Sequence, residues 1–158
     1  MKNKEVFMNR KVFLVLAILW ASFIFYLSHQ PASISSGHSN GVIKVLTEVP
    51  VVGDVVNYMM VLDVAEFIVR KSAHMFAYAV LSILVFMSMY DGINDKKLYL
   101  YSLGFSFLYA CSDEYHQTFI EGRSGEFRDV MVDSLGASIG LLGLFVLIKF
   151  LNKKKATQ

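Results

Sequence analysis

Apolar residues gather along this chain in four long runs, Val12 to Ser28, Ser72 to Tyr90, Leu98 to Thr118 and Val130 to Ile148, separated by polar breaks. Each run is near the ~20 helical residues that cross a hydrocarbon layer about 30 Å thick. The pattern therefore predicts an all-α protein, a polytopic membrane bundle of four transmembrane helices. Between the first two runs, Val42, Val45, Leu46 and Val49 follow the i, i+3, i+4, i+7 spacing of an amphipathic helix. Ser39 or Asn40 would cap that helix, and Pro50 with Gly53 would end it. Residues 54–69 are apolar enough to lie on the membrane surface as a flat cap, with a re-entrant pair as the alternative.

Composition narrows the class. With 55% hydrophobic residues, 18% charged and one cysteine in 158 residues, the chain is too apolar for a small soluble domain and lacks the signatures of disorder or a disulfide scaffold. A net charge of +2, scattered along the chain, gives no nucleic-acid stripe. Charge position is more informative. Ten of the fifteen lysines and arginines fall before run one, between runs two and three, or after run four, and five fall on the other side. The positive-inside rule then places both termini in the cytoplasm, with residues 1–11 and 152–158 as basic tails around one membrane domain, 12–151. A cleavable signal peptide is the alternative for run one, but Gln30-Pro31 stands where a small-residue cleavage site would have to be. Trp20, Phe23, Phe25 and Tyr26 suit an interfacial anchor.

Ionisable side chains at the edge of a bilayer cost several kcal/mol unless paired or hydrated, so each requires a reason. Lys71, His74 and Tyr78 are spaced to share one face of the second helix. Asp113, Glu114, His116 and Gln117 sit at the outer end of the third, Asp129 and Asp133 with Arg128 at the start of the fourth, and Arg123 in the connection between them. Topology sends all of these to the outer side, which predicts a single polar cluster. Snorkelling of Lys71 and Arg128 and helix capping by Asp129 explain individual residues. They leave Asp113, Glu114, His116 and Asp133 without an account. Gly136, Gly140 and Gly143 give the fourth helix a small-residue face for close packing.

Together the segments Arg70-Lys71-Ser72-Ala73-His74 with Tyr78, Ser112 to Gln117, Gly122-Arg123-Ser124-Gly125 and Arg128-Asp129 form a spaced pattern. With the Ser28-His29-Gln30-Pro31 end of run one, it resembles the VanZ-like family. The resemblance implies a small multi-helix protein of the bacterial plasma membrane, associated in its named member with resistance to the glycopeptide teicoplanin, and implies no particular reaction. Asp133 stands where the family often carries Asn.

Three readings of the cluster follow. In the first, the chain acts on or binds a cell-envelope lipid or lipid-linked anionic substrate. His116 is then the general acid or base, oriented by Asp113 or Glu114, with His74 as a second catalytic candidate. Lys71, Arg123 and Arg128 hold the anion, while Tyr78, Gln117, Asp129 and Asp133 complete the substrate site. A metal variant built on His74, His116 and one of Glu114, Asp129 or Asp133 ranks below it, since the nearby cations repel a divalent ion, and no cofactor is expected. The second reading is a non-catalytic binder or translocator of a lipid headgroup or antibiotic. The third is a purely structural salt-bridge network.

Overall fold

A computed structural model describes residues 9–91 and 95–156, and among them the chain forms six helices and no strand. They are α1 (Arg10–Ser28), α2 (Ala32–Thr47), α3 (Val52–Val61), α4 (Ala65–Met89), α5 (Lys96–Gln117) and α6 (Phe127–Ala156). Lys2, Lys4 and residues 157–158 of the expected basic tails lie outside the described residues, as does the side chain of Lys155. Asn9 opens α1 by accepting from the Lys11 amide, and Asp95 opens α5 by accepting from that of Lys97.

The all-helical expectation holds, but the count of membrane spans does not. Three helices among the described residues, α1, α4 and α6, are long and apolar enough to cross a membrane, rather than four. The exception is α5, at 22 residues as long as a span but too polar on average. Its polarity is concentrated on one side. Ser102, Ser106, Ala110, Asp113 and Gln117, roughly four residues apart, are buried against the other helices, whereas Leu100 and Leu108 are 67% and 68% exposed. Ser102 donates to Leu98 O at 2.7 Å and Ser106 to Ser102 O at 2.9 Å, so both buried hydroxyls are satisfied within the helix. Small side chains face the protein and large apolar ones face outward, the reverse of a water-soluble helix.

The chain doubles back on itself. Arg10 Nε donates to Ser88 O, which sets the start of α1 beside the end of α4. Phe86, Leu141 and Ile148 form a cluster with Tyr90 and Leu98 around it, so the far part of α6 and the start of α5 lie at that same end. The ends of α1 and α5, the early turns of α4 and the start of α6 make up the opposite end, and α5 carries the chain back to it.

The most extensive pairing is α4 with α6. Gly136 and Gly140 explain how it forms, because a Cβ on either would run into the backbone of Met75 or Ala79. Gly143 faces open space and takes no part, in contrast to the three-glycine face expected. Ser82 Oγ reinforces the contact by donating to Ala137 O at 3.0 Å. Trp20, expected as an interfacial anchor, instead ties α1 to α4 by donating to Ala77 O at 2.8 Å, and Tyr109 ties α5 to α1 by donating to Ala21 O at 2.6 Å.

The segment between α1 and α4 departs further from expectation. α2 starts at Ala32, directly after Pro31, and so is a whole turn and more longer at its N-terminus than the apolar spacing indicated. Its inward residues are Ser39 and Ile43, and the stripe of Val42, Val45 and Val49 is exposed. α2 rests on α3 and α4, with Ile43, Val56 and Ala65 as the shared core. α4 starts at Ala65 rather than near Ser72, which moves Lys71 and His74 from the helix mouth to about two turns inside it.

The close α4–α6 contact yields a direct test. Gly136→Leu should lower bundle stability by about 1–3 kcal/mol or more, seen as a reduced midpoint in thermal unfolding of detergent-solubilised protein, whereas Gly143→Ala, which meets open space in mid-helix, should leave that midpoint unlowered.

Candidate functional site

At the end of the bundle away from Arg10 and Ile148, four elements bring polar side chains together. From α4, Lys71 forms an ion pair with Asp129 of α6, and one turn further in His74 Nδ1 lies 3.4 Å from Asp133 Oδ1. The two pairs follow from matched spacing: Lys71 and His74 are three residues apart on α4, and Asp129 and Asp133 four apart on α6. Asp133 has no exposed surface, so its carboxylate depends on what the neighbouring helices present to it.

α5 supplies the buried acids Asp113 and Glu114, bridged by Gln117, whose amide donates to Asp113 Oδ2 at 3.3 Å and to Glu114 Oε1 at 3.2 Å. The Glu126 amide donates to Glu114 Oε2 at 3.0 Å, which fastens the connection before α6 to the end of α5. Gly125 permits this approach, since a Cβ there would meet the Glu114 carbonyl. Arg123, in the same connection, donates to Gln117 Oε1 at 3.1 Å and to Leu27 O of α1 at 3.3 Å. Burial and the facing Arg70 guanidinium both lower the proton affinity of Arg123, whereas Asp113 and Glu114 raise it. Tyr78 is wholly buried, and its hydroxyl has no hydrogen-bond partner.

Two cavities open among these side chains. One, of about 230 Å³, is lined by the cations Arg70, Lys71, Arg123 and Arg128, with Gln117, Ser124 and Asp129 beside them. Phe67 floors part of it, with Arg128 5.3 Å and Lys71 5.5 Å from its ring centre. The other, of about 160 Å³, is mainly apolar, with Ile24, Leu27, Val42, Val69, Ala73 and Ala77 in its wall and Tyr78 and Asp113 at its polar side. Ser35, Arg70, His74 and Arg123 line both cavities. The two therefore adjoin, one suited to an anion and one to hydrocarbon.

Ten of the eleven side chains singled out from the sequence lie in or directly against this pair of cavities: Lys71, His74, Tyr78, Asp113, Glu114, Gln117, Arg123, Arg128, Asp129 and Asp133. His116 does not. Its Nε2 lies 3.1 Å from His29 Nδ1, and its ring packs on His29 and Phe25 of the α1 end. The reason is helical phase, because Asp113, Glu114 and Gln117 share the inward face of α5 and His116 falls to the side turned toward α1. His116 is thus not oriented by Asp113 or Glu114, and the expected grouping of His74 with His116 does not form. Among the described residues no group of three His, Cys, Asp or Glu side chains is placed to hold a metal ion.

The sequence pattern names Arg70 without giving it a role, and it does not point to the α2 residues Ser35, Ser36 and His38. Arg70 donates to Ser36 Oγ at 3.1 Å and forms an ion pair with Glu66. It stands four residues before His74, which was the available signal, whereas the serines were hidden by placing the start of α2 too late.

Comparison with known proteins adds the lineage. No curated protein and no solved structure matches this chain. The model of the VanZ/LLP1 family matches residues 13–149, which include every element that builds the two cavities, and the chain, a helical membrane protein, belongs to that family.

Proposed function

We propose that this protein binds an anionic lipid or lipid-linked intermediate of the cell envelope at the polar end of its bundle, and through it influences glycopeptide susceptibility. The observation that carries this reading is the adjoining pair of cavities: four cations outnumber the two carboxylates, Glu126 and Asp129, in the lining of one, and the lining of the other is mainly apolar. An amphiphile with a phosphate head and a hydrocarbon tail has that same division. Arginine suits the head because its planar fork meets phosphate oxygens two at a time, and Arg70 and Arg123 both line the place where the cavities adjoin. Family membership supports the link to glycopeptides such as teicoplanin.

In this proposal the protein sits in the bacterial plasma membrane with its polar end outward. The lysines and arginines near the start of α1, the α4–α5 connection and the end of α6 favour the cytoplasm for the opposite end. A second reading, in which the ion pairs only lock helices, draws support from Lys71–Asp129 and His74–Asp133, which both join α4 to α6.

Three outcomes are expected. Titration of the purified protein in neutral detergent with dodecyl phosphate should show saturable binding that dodecanol does not reproduce, and Arg123→Ala should weaken it about tenfold or more. If Arg123→Ala binds as the parent does, the headgroup assignment is wrong. With Cys111 replaced by Ser, a cysteine at Ser124 should react with an impermeant maleimide on intact cells and one at Asn152 only after permeabilisation. Disruption of the gene should change teicoplanin susceptibility, and Arg123→Ala should reproduce that change at normal membrane abundance, whereas a structural lock predicts loss of the protein instead.

A further inference from the structure

A ligand seated across both cavities must pass through the place where they join. With an anionic head among the cations and a chain in the apolar slot, the bond between head and chain lies at the residues lining both, Ser35, Arg70, His74 and Arg123. Only His74 among these readily both takes and gives a proton near neutrality. Its Nδ1 lies 3.4 Å from Oδ1 of Asp133, a carboxylate on α6 with no exposed surface and no hydrogen-bond partner, so Nδ1 is placed to hold the proton that Asp133 needs, which makes Nε2 the basic nitrogen. The glycine contacts of Gly136 and Gly140 hold α6 against α4 just beyond this pair, so the acceptor and the imidazole sit on rigid, tightly packed elements.

We infer that the protein hydrolyses a phosphate monoester of a long-chain alcohol, with His74 as the catalytic acid–base group and Asp133 as its positioning residue. The inference rests on the binding reading above. In the step, His74 Nε2 takes a proton from water, the water oxygen forms a new bond to phosphorus, and the bond from phosphorus to the alkoxide breaks. The proton then passes from His74 to the leaving alkoxide, so that the products are the free alcohol and inorganic phosphate. Arg70 and Arg123 stand where the charge on the phosphoryl oxygens is carried through the transition state. This assignment moves the acid–base role from His116, which the fold turns toward His29, to His74.

The probe is dodecyl phosphate with the full-length protein in detergent or nanodiscs, followed by inorganic phosphate release and, separately, by equilibrium binding. Release should be catalytic, and in ¹⁸O-labelled water the label should enter phosphate and not dodecanol. His74→Gln should lower kcat by about a hundredfold or more while binding stays within about twofold. Asp133→Asn should lower kcat with KM unchanged, and Asp133→Glu should restore part of it. Binding without phosphate release by the parent protein would overturn the hydrolysis and leave the binding reading intact, and absence of binding would remove both. Label in the alcohol, or full turnover in His74→Gln, would also overturn it. The isotope result does not depend on any variant folding.

Discussion

A carboxylate enclosed by membrane-crossing helices has to be matched by donors from its neighbours, and Asp133 is the limiting case in this bundle. Moving such a charge out of water costs several kcal/mol even after relaxation, so an unmatched acid at that depth would be expelled or would unfold the end of the helix. The requirement fixes how α4 and α6 are phased. His74 must face Asp133, and the next turn outward then brings Lys71 to Asp129. α5 meets the same constraint differently, because Gln117 and the Glu126 amide supply donors to Asp113 and Glu114, and Arg123 closes the set through Gln117. The polar end thus holds two neighbouring sets, the α4–α6 pairs and the α5 acids tied to the connection before α6, and Asp113 Oδ1 and both Asp133 oxygens are buried without a hydrogen-bond partner.

Much of this was legible in the residues. The spacing of Lys71, His74 and Tyr78, and of Asp129 and Asp133, located their helix faces, and convergence at one end followed from the alternation of apolar runs. Three things were not legible. The phase of His116 depends on which side of α5 meets α1, and a four-residue cluster with acids at 113 and 114 reads equally well with His116 inside or outside. The early start of α2 was hidden because Ala32 to Asn40, Ile34 and His38 apart, are small or polar, and their helix is stabilised by packing on α3 and α4 rather than by an apolar stripe of its own. The span count rested on the apolar run from Leu98 to Ser112 ahead of a polar outer end, whereas the buried face of α5 carries serines along its length as well as the acids.

The reversed amphipathicity of α5 also explains why average hydropathy is a poor guide to its surroundings. A mean taken over a helix mixes residues that meet other helices with residues that meet the exterior, and the two requirements here are opposite. Leu100, Tyr101, Phe105 and Leu108 satisfy one, and the self-bonded serines satisfy the other.

The two ends of the bundle are held by different means. Around Phe86, Leu141 and Ile148 the helices cohere chiefly through apolar packing, with Arg10 donating to Ser88 O beside them, and Gly136 with Gly140 extends that cohesion to the threshold of the polar region. The apolar end thereby needs no charged group to cohere, while the polar end sets the phase of α4 against α6. Descendants of such a chain are free to trade one matched set of charged groups for another and to acquire new ligands, while the apolar half continues to hold the walls in place.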